Sequence, residues 1–326
     1  MSILIVNGQL QDKGPDTGAE VLKKFSRGPY TAFLVGGKDF KVSCWDLHCR
    51  RLAHSLRRIL SSLDAAPGSL ISIFNDASTV KQRENIVCPL LRSSLAVAAA
   101  AAQKGCCTAF KVVIVLPIKS ESLQPQTGEV ALEDIVDVVV HMAPVTQTLD
   151  SLVSVAVSGP GRKMPDAKDS QWATDREALE AQLPAGATEG LLCTADGAVL
   201  ESFVSNFFVV REGRDGHPEV QTAAPSEGLL EGIMRRQVLQ ACKELGLTTV
   251  IRAPLLHERA LWTEAFLTNS VCGIRPVERI VCRRAEGGGH WEAAFPANKG
   301  EITQQLRLAL AGIQERPPES CYGHCW

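Results

Sequence analysis

Aromatic side chains, a surplus of one charge sign, long apolar runs and a regular cysteine framework are all scarce or missing here, and each shortage excludes something. Aromatic residues make up 5% of the 326 positions, so the core has to be assembled from Leu, Val, Ile and Ala. Lys and Arg number 34 against 36 Asp and Glu, a net charge of −2. A general nucleic-acid binder needs excess cations to displace phosphate counterions, so no nucleic acid is expected as a partner. The longest apolar run, Leu95 to Ala102, falls far short of the roughly 20 residues of a membrane span, and no membrane partner is expected. Met1 to Val6 lacks the basic stretch and apolar length of a secretory leader. The 11 cysteines are odd in number and irregularly spaced, which reads as reduced thiols and a cytoplasmic location, with an organelle as the alternative. What is present, 45% apolar and 21% charged residues, is the composition of a soluble globular chain.

Ile3 to Val6 running into Asn7-Gly8 predicts a strand and a tight hairpin, and Tyr30 to Val35, Gly36-Gly37 and Phe40 to Val42 predict a second. A helix is expected from about Trp45 to Leu63, where Leu52, Leu56, Ile59, Leu60 and Leu63 recur at helical spacing. Strands at Leu70 to Phe74 and Lys111 to Leu116 flank a helix over Thr79 to Gln103, and Ile135 to His141 adds another strand. The pattern weakens from Ala143 to Pro165, with Gly159-Pro160-Gly161 as a breaker, and the linker is placed at Pro144 to Ser151. Beyond it come a helix after Pro165 and an extended pair, Glu189 to Cys193 and Ala198 to Val210, joined at Asp196-Gly197. A helix from Gly232 to Leu245 stops at Gly246. Short strands near Val250, Ala265 to Thr268 and Gly273 to Cys282 precede a closing helix from Glu301 to Ile313. The fold class is α+β with two domains: a small N-terminal α/β domain over 1–146, a larger C-terminal mixed α/β domain over 147–315, and a tail over 316–326.

Four segments concentrate residues suited to chemistry. The early helix carries His48-Cys49-Arg50-Arg51-Leu52-Ala53-His54-Ser55. Pro165-Asp166-Ala167-Lys168 stands 21 residues before Glu189, with Lys163 as the local competitor. The extended pair carries Glu201-Ser202-Phe203-Val204-Ser205-Asn206. The last segment, Leu229 to Arg236, opens a helix at Gly232-Ile233-Met234, and Thr268-Asn269-Ser270 follows before Ile274-Arg275-Pro276-Val277. A metal centre at Cys321 to Cys325 is not expected, because that cluster has no second ligand pair. Cys106-Cys107 are read as buried thiols.

In their order and spacing, over about residues 2 to 312, these segments resemble the fold-type IV family of pyridoxal-phosphate enzymes. That family includes the branched-chain and D-amino-acid aminotransferases and aminodeoxychorismate lyase. The resemblance implies that Lys168 forms the internal aldimine with pyridoxal 5'-phosphate, the cofactor, and acts as the catalytic amine. It implies that Arg51 contacts the cofactor phosphate, for which a planar guanidinium offers two donors at once. Glu201 matches the carboxylate that keeps the pyridine nitrogen protonated, and Asn206 is a neighbouring scaffold or phosphate-side residue. The amides of Ile233 and Met234 match the helix terminus that receives the phosphate, and Ser270 matches a hydroxyl on it. Tyr30 resembles a substrate-side position.

Three departures stand out: Ser202 replaces a glycine, Met234 a threonine, and Ala173 the tyrosine of branched-chain enzymes. The implied activity is transamination between a small amino donor and a keto acceptor, in a homodimer. Lyase-type elimination and a catalytically weak cofactor-binding scaffold are the alternatives.

Overall fold

In the computed structural model Asn7 and Gly8 take left-handed φ values of 48° and 78°, which folds β1 (Ile3–Val6) back onto β2 (Gln9–Leu10). The described residues are 2–36, 41–63, 80–103, 109–123, 131–145, 152–213, 215–283, 290–295 and 300–315. The expected strand at Leu70 to Phe74, Cys106-Cys107 and the tail cluster Cys321 to Cys325 lie outside them. No helix among the described residues is long and apolar enough to cross a membrane. Contacts group the chain into two units, the first holding Met1–Thr146 together with Ala167–Asp175, the second Gln147–Asp166 and Arg176–Pro317.

In the first unit an antiparallel sheet runs β2-β1-β5-β4-β3, with β3 at Tyr30–Gly36, β4 at Ala109–Val115 and β5 at Val139–Pro144. Its helices are α1 (Gly18–Lys24), α2 (Trp45–Ser61), α3 (Val80–Gln103), the single turn α4 (Leu132–Ile135) and α5 (Trp172–Asp175). Alternation along β3 decides which side chain meets which helix. Phe33 packs edge-on against Trp45 and His48 of α2. Tyr30 falls on the opposite face, in the cluster formed with Val21 and Leu22 of α1 and with Ala173. The buried stripe of α2 is Leu52, Leu56, Ile59 and Leu60, as its spacing predicts. Ile135 ends α4 rather than starting a strand, because Glu133 and Asp134 place the acidic start of a helical turn ahead of it.

The second unit is a sheet that closes on itself. Its strands are β6 (Val153–Gly159), β7 (Glu189–Cys193), β8 (Val199–Ser202), β9 (Asn206–Glu212), β10 (Pro218–Thr222), β11 (Thr248–Ile251), β12 (Trp262–Asn269), β13 (Gly273–Arg283) and β14 (His290–Ala294). The order β9-β12-β13-β6-β7-β8 returns to β9 through one pair, Glu201 opposite Asn206. Val155, Leu191, Val199, Phe207, Val209 and Leu267 fill the interior. The outer face, with Phe208, Val210 and Phe266, is covered by α7 (Ile233–Glu244) and α8 (Glu301–Glu315).

Three differences from the sequence reading have local causes. β6 lies where a weak, linker-like pattern is read, because Gly159-Pro160-Gly161 ends a strand there instead of interrupting a loop. The expected strand Ala198 to Val210 is two strands, broken at Phe203 to Ser205, where the Ser205 N–H donates to Ser202 Oγ (3.1 Å). The helix expected after Pro165 is two short turns, α5 and α6 (Glu177–Glu180).

Candidate active site

Lys168 is not on a helix. It lies in an extended stretch ahead of α5, and neighbouring residues fix its backbone: the Tyr30 N–H donates to its carbonyl (2.9 Å) and its own N–H donates to Ser55 Oγ (2.9 Å). Ser170 extends the match, its N–H donating to the Gly28 carbonyl while its hydroxyl accepts the Gly28 N–H (both 3.0 Å). These bonds draw Ala167–Asp175 into the first unit. The sequence reading counts Lys168 with the C-terminal domain, whereas contacts group it with 28–30 across chain order. Lys168 is 9% exposed and its Nζ lies 4.5 Å from the centre of the Tyr30 ring. Lys163 is exposed.

On α2, Arg51 Nη2 donates to Thr31 Oγ1 (2.7 Å), and the same oxygen is 2.6 Å from His48 Nδ1. Arginine can only donate, so the threonine hydroxyl accepts from it, and either its second lone pair or its own proton meets Nδ1, according to the tautomer of His48. Burial, followed by the nearby charges of Arg51 and Lys168, pushes its pKa well below the ordinary histidine range. Arg51, His48 and Lys168 are therefore electrostatic neighbours within one unit, and Tyr30 belongs to the same group.

In the second unit a bulge aims the key carboxylate. Cys193 pairs with Val199 but Leu192 pairs with Glu201, so β8 holds one extra residue. Val199 and Ser202 both face inward as a result, and Glu201 turns to the outer side, opposite Asn206. There Arg162 grips the carboxylate with two nitrogens, Nε to Oε1 at 2.9 Å and Nη2 to Oε2 at 3.1 Å. The Leu230 N–H also donates to Oε2 (3.3 Å), and Asn206 Nδ2 donates to the Leu230 carbonyl (2.8 Å). Gly232 caps α7 without a side-chain bond, and a Cβ there would collide with Asn206 Oδ1. Thr268 stands opposite Asn206 on β12. Its buried hydroxyl has no hydrogen-bond partner among the described residues. Ser270 is half-buried in the turn that follows.

Two of the unusual residues prove to be packed away from this row. Ser202 Oγ donates to Glu189 Oε1 (2.5 Å) inside the barrel. Met234 is buried in the cluster between the sheet and α7, leaving only its amide at the helix start. Ala173 is fully buried against α1 and β4.

Burial raises the pKa of Glu189, with the Ser202 hydroxyl as the main opposing influence. A raised carboxyl pKa contributes stability that is complete below the unfolded value and is lost as pH rises through the folded one. The unfolding midpoint of Glu189→Gln is thus expected to gain on that of the wild type as pH rises above about 4, in thermal melts across a pH series. A constant difference would remove this account of Glu189.

Thr31, Ser55 and Arg162 are contributors that the sequence reading assigns no role. Ser55 follows Arg51 by one helical turn, which is a signal of a shared face. Thr31 is visible only as the alternate of Tyr30 on a strand, and nothing local marks Arg162. Among the described residues no group of His, Cys, Asp and Glu is arranged to hold a metal ion.

The sequence pattern described as amino-transferase class IV matches residues 30–280. An aminodeoxychorismate lyase of Bacillus subtilis is 32% identical over 120 residues, 37% of this chain and 36% of that protein. A probable branched-chain-amino-acid aminotransferase of Synechocystis is 30% identical over 130 residues, 40% of this chain and 37% of that one. The matched stretches thus span little more than a third of these relatives. The crystal structure of an aminotransferase from Brucella abortus bound to the cofactor PLP superposes with a TM-score of 0.65 at 15% identity, covering 97% of this chain and 99% of that one.

Proposed function

Because the chain belongs to the class IV aminotransferase family, we propose that it is a pyridoxal 5'-phosphate enzyme that moves the amino group of a small amino compound to a keto acceptor. The observation that carries this reading is the buried amine of Lys168, held in one unit with Tyr30 and with the Thr31–His48–Arg51 cluster.

The residues fit the group. A phosphate needs donors, and Arg51, the start of α7 with no side-chain cap, and the Thr268 hydroxyl, unpartnered among the described residues, are donors of that kind. A pyridine nitrogen that carries a proton needs a carboxylate, and Glu201 is a buried one. Ser270 remains a candidate hydroxyl and Asn206 the brace between Leu230 and Gly232. When bound, the cofactor supplies an aldehyde that condenses with amines and a ring that takes up negative charge.

The chain supplies the rest. Lys168 Nζ, buried above the Tyr30 ring, is the base that removes the proton from the substrate carbon and returns it. Neutral His48 leaves Arg51 as the cation of its cluster, and the Thr31 hydroxyl fixes the direction of the guanidinium. Arg162 sets the plane of the Glu201 carboxylate, which can accept a further proton donor because each oxygen has two lone-pair positions. Tyr30 is placed to border the substrate. Ser202 and Met234 point into packing, which supports an active enzyme over an inert scaffold.

Elimination of the lyase type is the second reading. It is favoured by the Bacillus lyase relative and by Ala173, which is packed in the core at the position of the branched-chain tyrosine. Cytoplasmic location and a homodimer complete the proposal.

The test is spectroscopic. Purified protein loaded with pyridoxal 5'-phosphate is expected to change its visible absorbance when amino donors are added and to recover it with keto acids. Elimination from aminodeoxychorismate without a keto acceptor would select the lyase reading. A protein that takes up no cofactor would refute both.

A further inference from the structure

We infer that Ser55 is a positioning residue for Lys168, tying the lysine to the helix that carries Arg51. This rests on the proposed role of Lys168. Ser55 is fully buried on α2, and its Oγ accepts the Lys168 N–H at 2.9 Å across 113 residues of sequence. The other backbone group of Lys168, its carbonyl, is held by the Tyr30 N–H. Both ends of the lysine's peptide frame are therefore pinned, one to α2 and one to β3.

Arg51 and Ser55 are four residues apart on α2. Helical geometry puts such side chains on one face, with Cβ atoms about 6 Å apart. Arg51 is itself tied to β3, through Thr31, the residue after Tyr30. The loop of contacts Arg51–Thr31–Tyr30–Lys168–Ser55 closes on the helix. It uses α2 as a rigid spacer between the anion-binding guanidinium and the root of the reactive amine. An extended stretch such as 167–170 has no hydrogen bonds of its own to hold a lysine at a set distance from that guanidinium, so the serine supplies one.

The test compares two forms of the vitamin phosphate. Pyridoxal 5'-phosphate can bond covalently to the lysine amine, whereas pyridoxamine 5'-phosphate cannot and reports the phosphate and ring contacts alone. Ser55→Ala is expected to raise the apparent Kd for the aldehyde form about tenfold, the scale of a buried amide losing its acceptor. It should leave the amine form within about twofold, since that form makes no use of the lysine. Ser55→Thr, which keeps the hydroxyl, is expected to restore aldehyde binding.

Equal weakening of both forms would mean that Ser55 only supports the fold, and no change in either would mean that it does not act on Lys168. Both outcomes overturn the inference. Borohydride reduction of loaded wild type, followed by peptide mapping, separates failure of the underlying reading. Label found on no lysine, or on a lysine other than 168, brings down the proposed role of Lys168 as well.

Discussion

Lys168→Ala is expected to abolish covalent cofactor attachment and to lower amino-group turnover by at least about 10³-fold, the upper range for a general base. Lys163→Ala is expected to retain both. The contrast follows from surroundings. Lys168 is buried against an aromatic ring with both of its backbone groups bonded, while Lys163 is in solvent. A buried lysine whose backbone is anchored at both ends presents its amine in one place, which covalent attachment requires. Absorbance of the loaded proteins and mass analysis after borohydride reduction are the measurements. Retained attachment in Lys168→Ala, with its loss in Lys163→Ala, would reverse the assignment.

The second large effect is expected at Glu201. Glu201→Gln keeps the shape of the side chain and removes the charge. It is expected to leave the cofactor bound and to slow proton abstraction by about 100-fold or more, as loss of a preorganised electrostatic partner does. Stopped-flow absorbance under single-turnover conditions reads this step, and an unchanged rate would count against the ring-nitrogen role. Glu201→Ala carries an additional penalty, because the Arg162 guanidinium is left buried without its carboxylate. Breaking a buried pair in this way costs about 3–5 kcal/mol of stability. Thermal melts should therefore rank Glu201→Ala below Glu201→Gln, which still offers Arg162 a carbonyl oxygen.

The elements that carry the candidate site are legible in the sequence because they stand at strong local signals. Arg51 lies on a helix whose apolar stripe is regular, and Gly232 opens another that ends at a left-handed glycine, Gly246 (φ 69°). Glu201 and Asn206 follow a turn marked by Asp196-Gly197, where Gly197 takes φ 87°. The helical setting expected for Lys168 is absent: Asp169 pairs with Pro29 as a β-bridge, and the first helical turn after Pro165 starts only at Trp172. The lysine's direction comes from contacts with 28–30 and Ser55 instead.

Composition, periodicity and turn residues by themselves determined the mixed class and most of the elements, while the choice of Lys168, Arg51 and Glu201 came from the resemblance of their segments to a known family. Class and elements depend on contacts within a few residues, which a linear pattern records. Tertiary structure alone decided that Lys168 joins the first unit, that a bulge turns Glu201 outward, that Arg162 meets it across 39 residues, and that Ser202 bonds to Glu189 instead of entering the site. Each of these is set by which strand lies beside which. Strand partners are chosen by burial and backbone hydrogen bonding over the whole unit, and no short stretch of sequence contains that information.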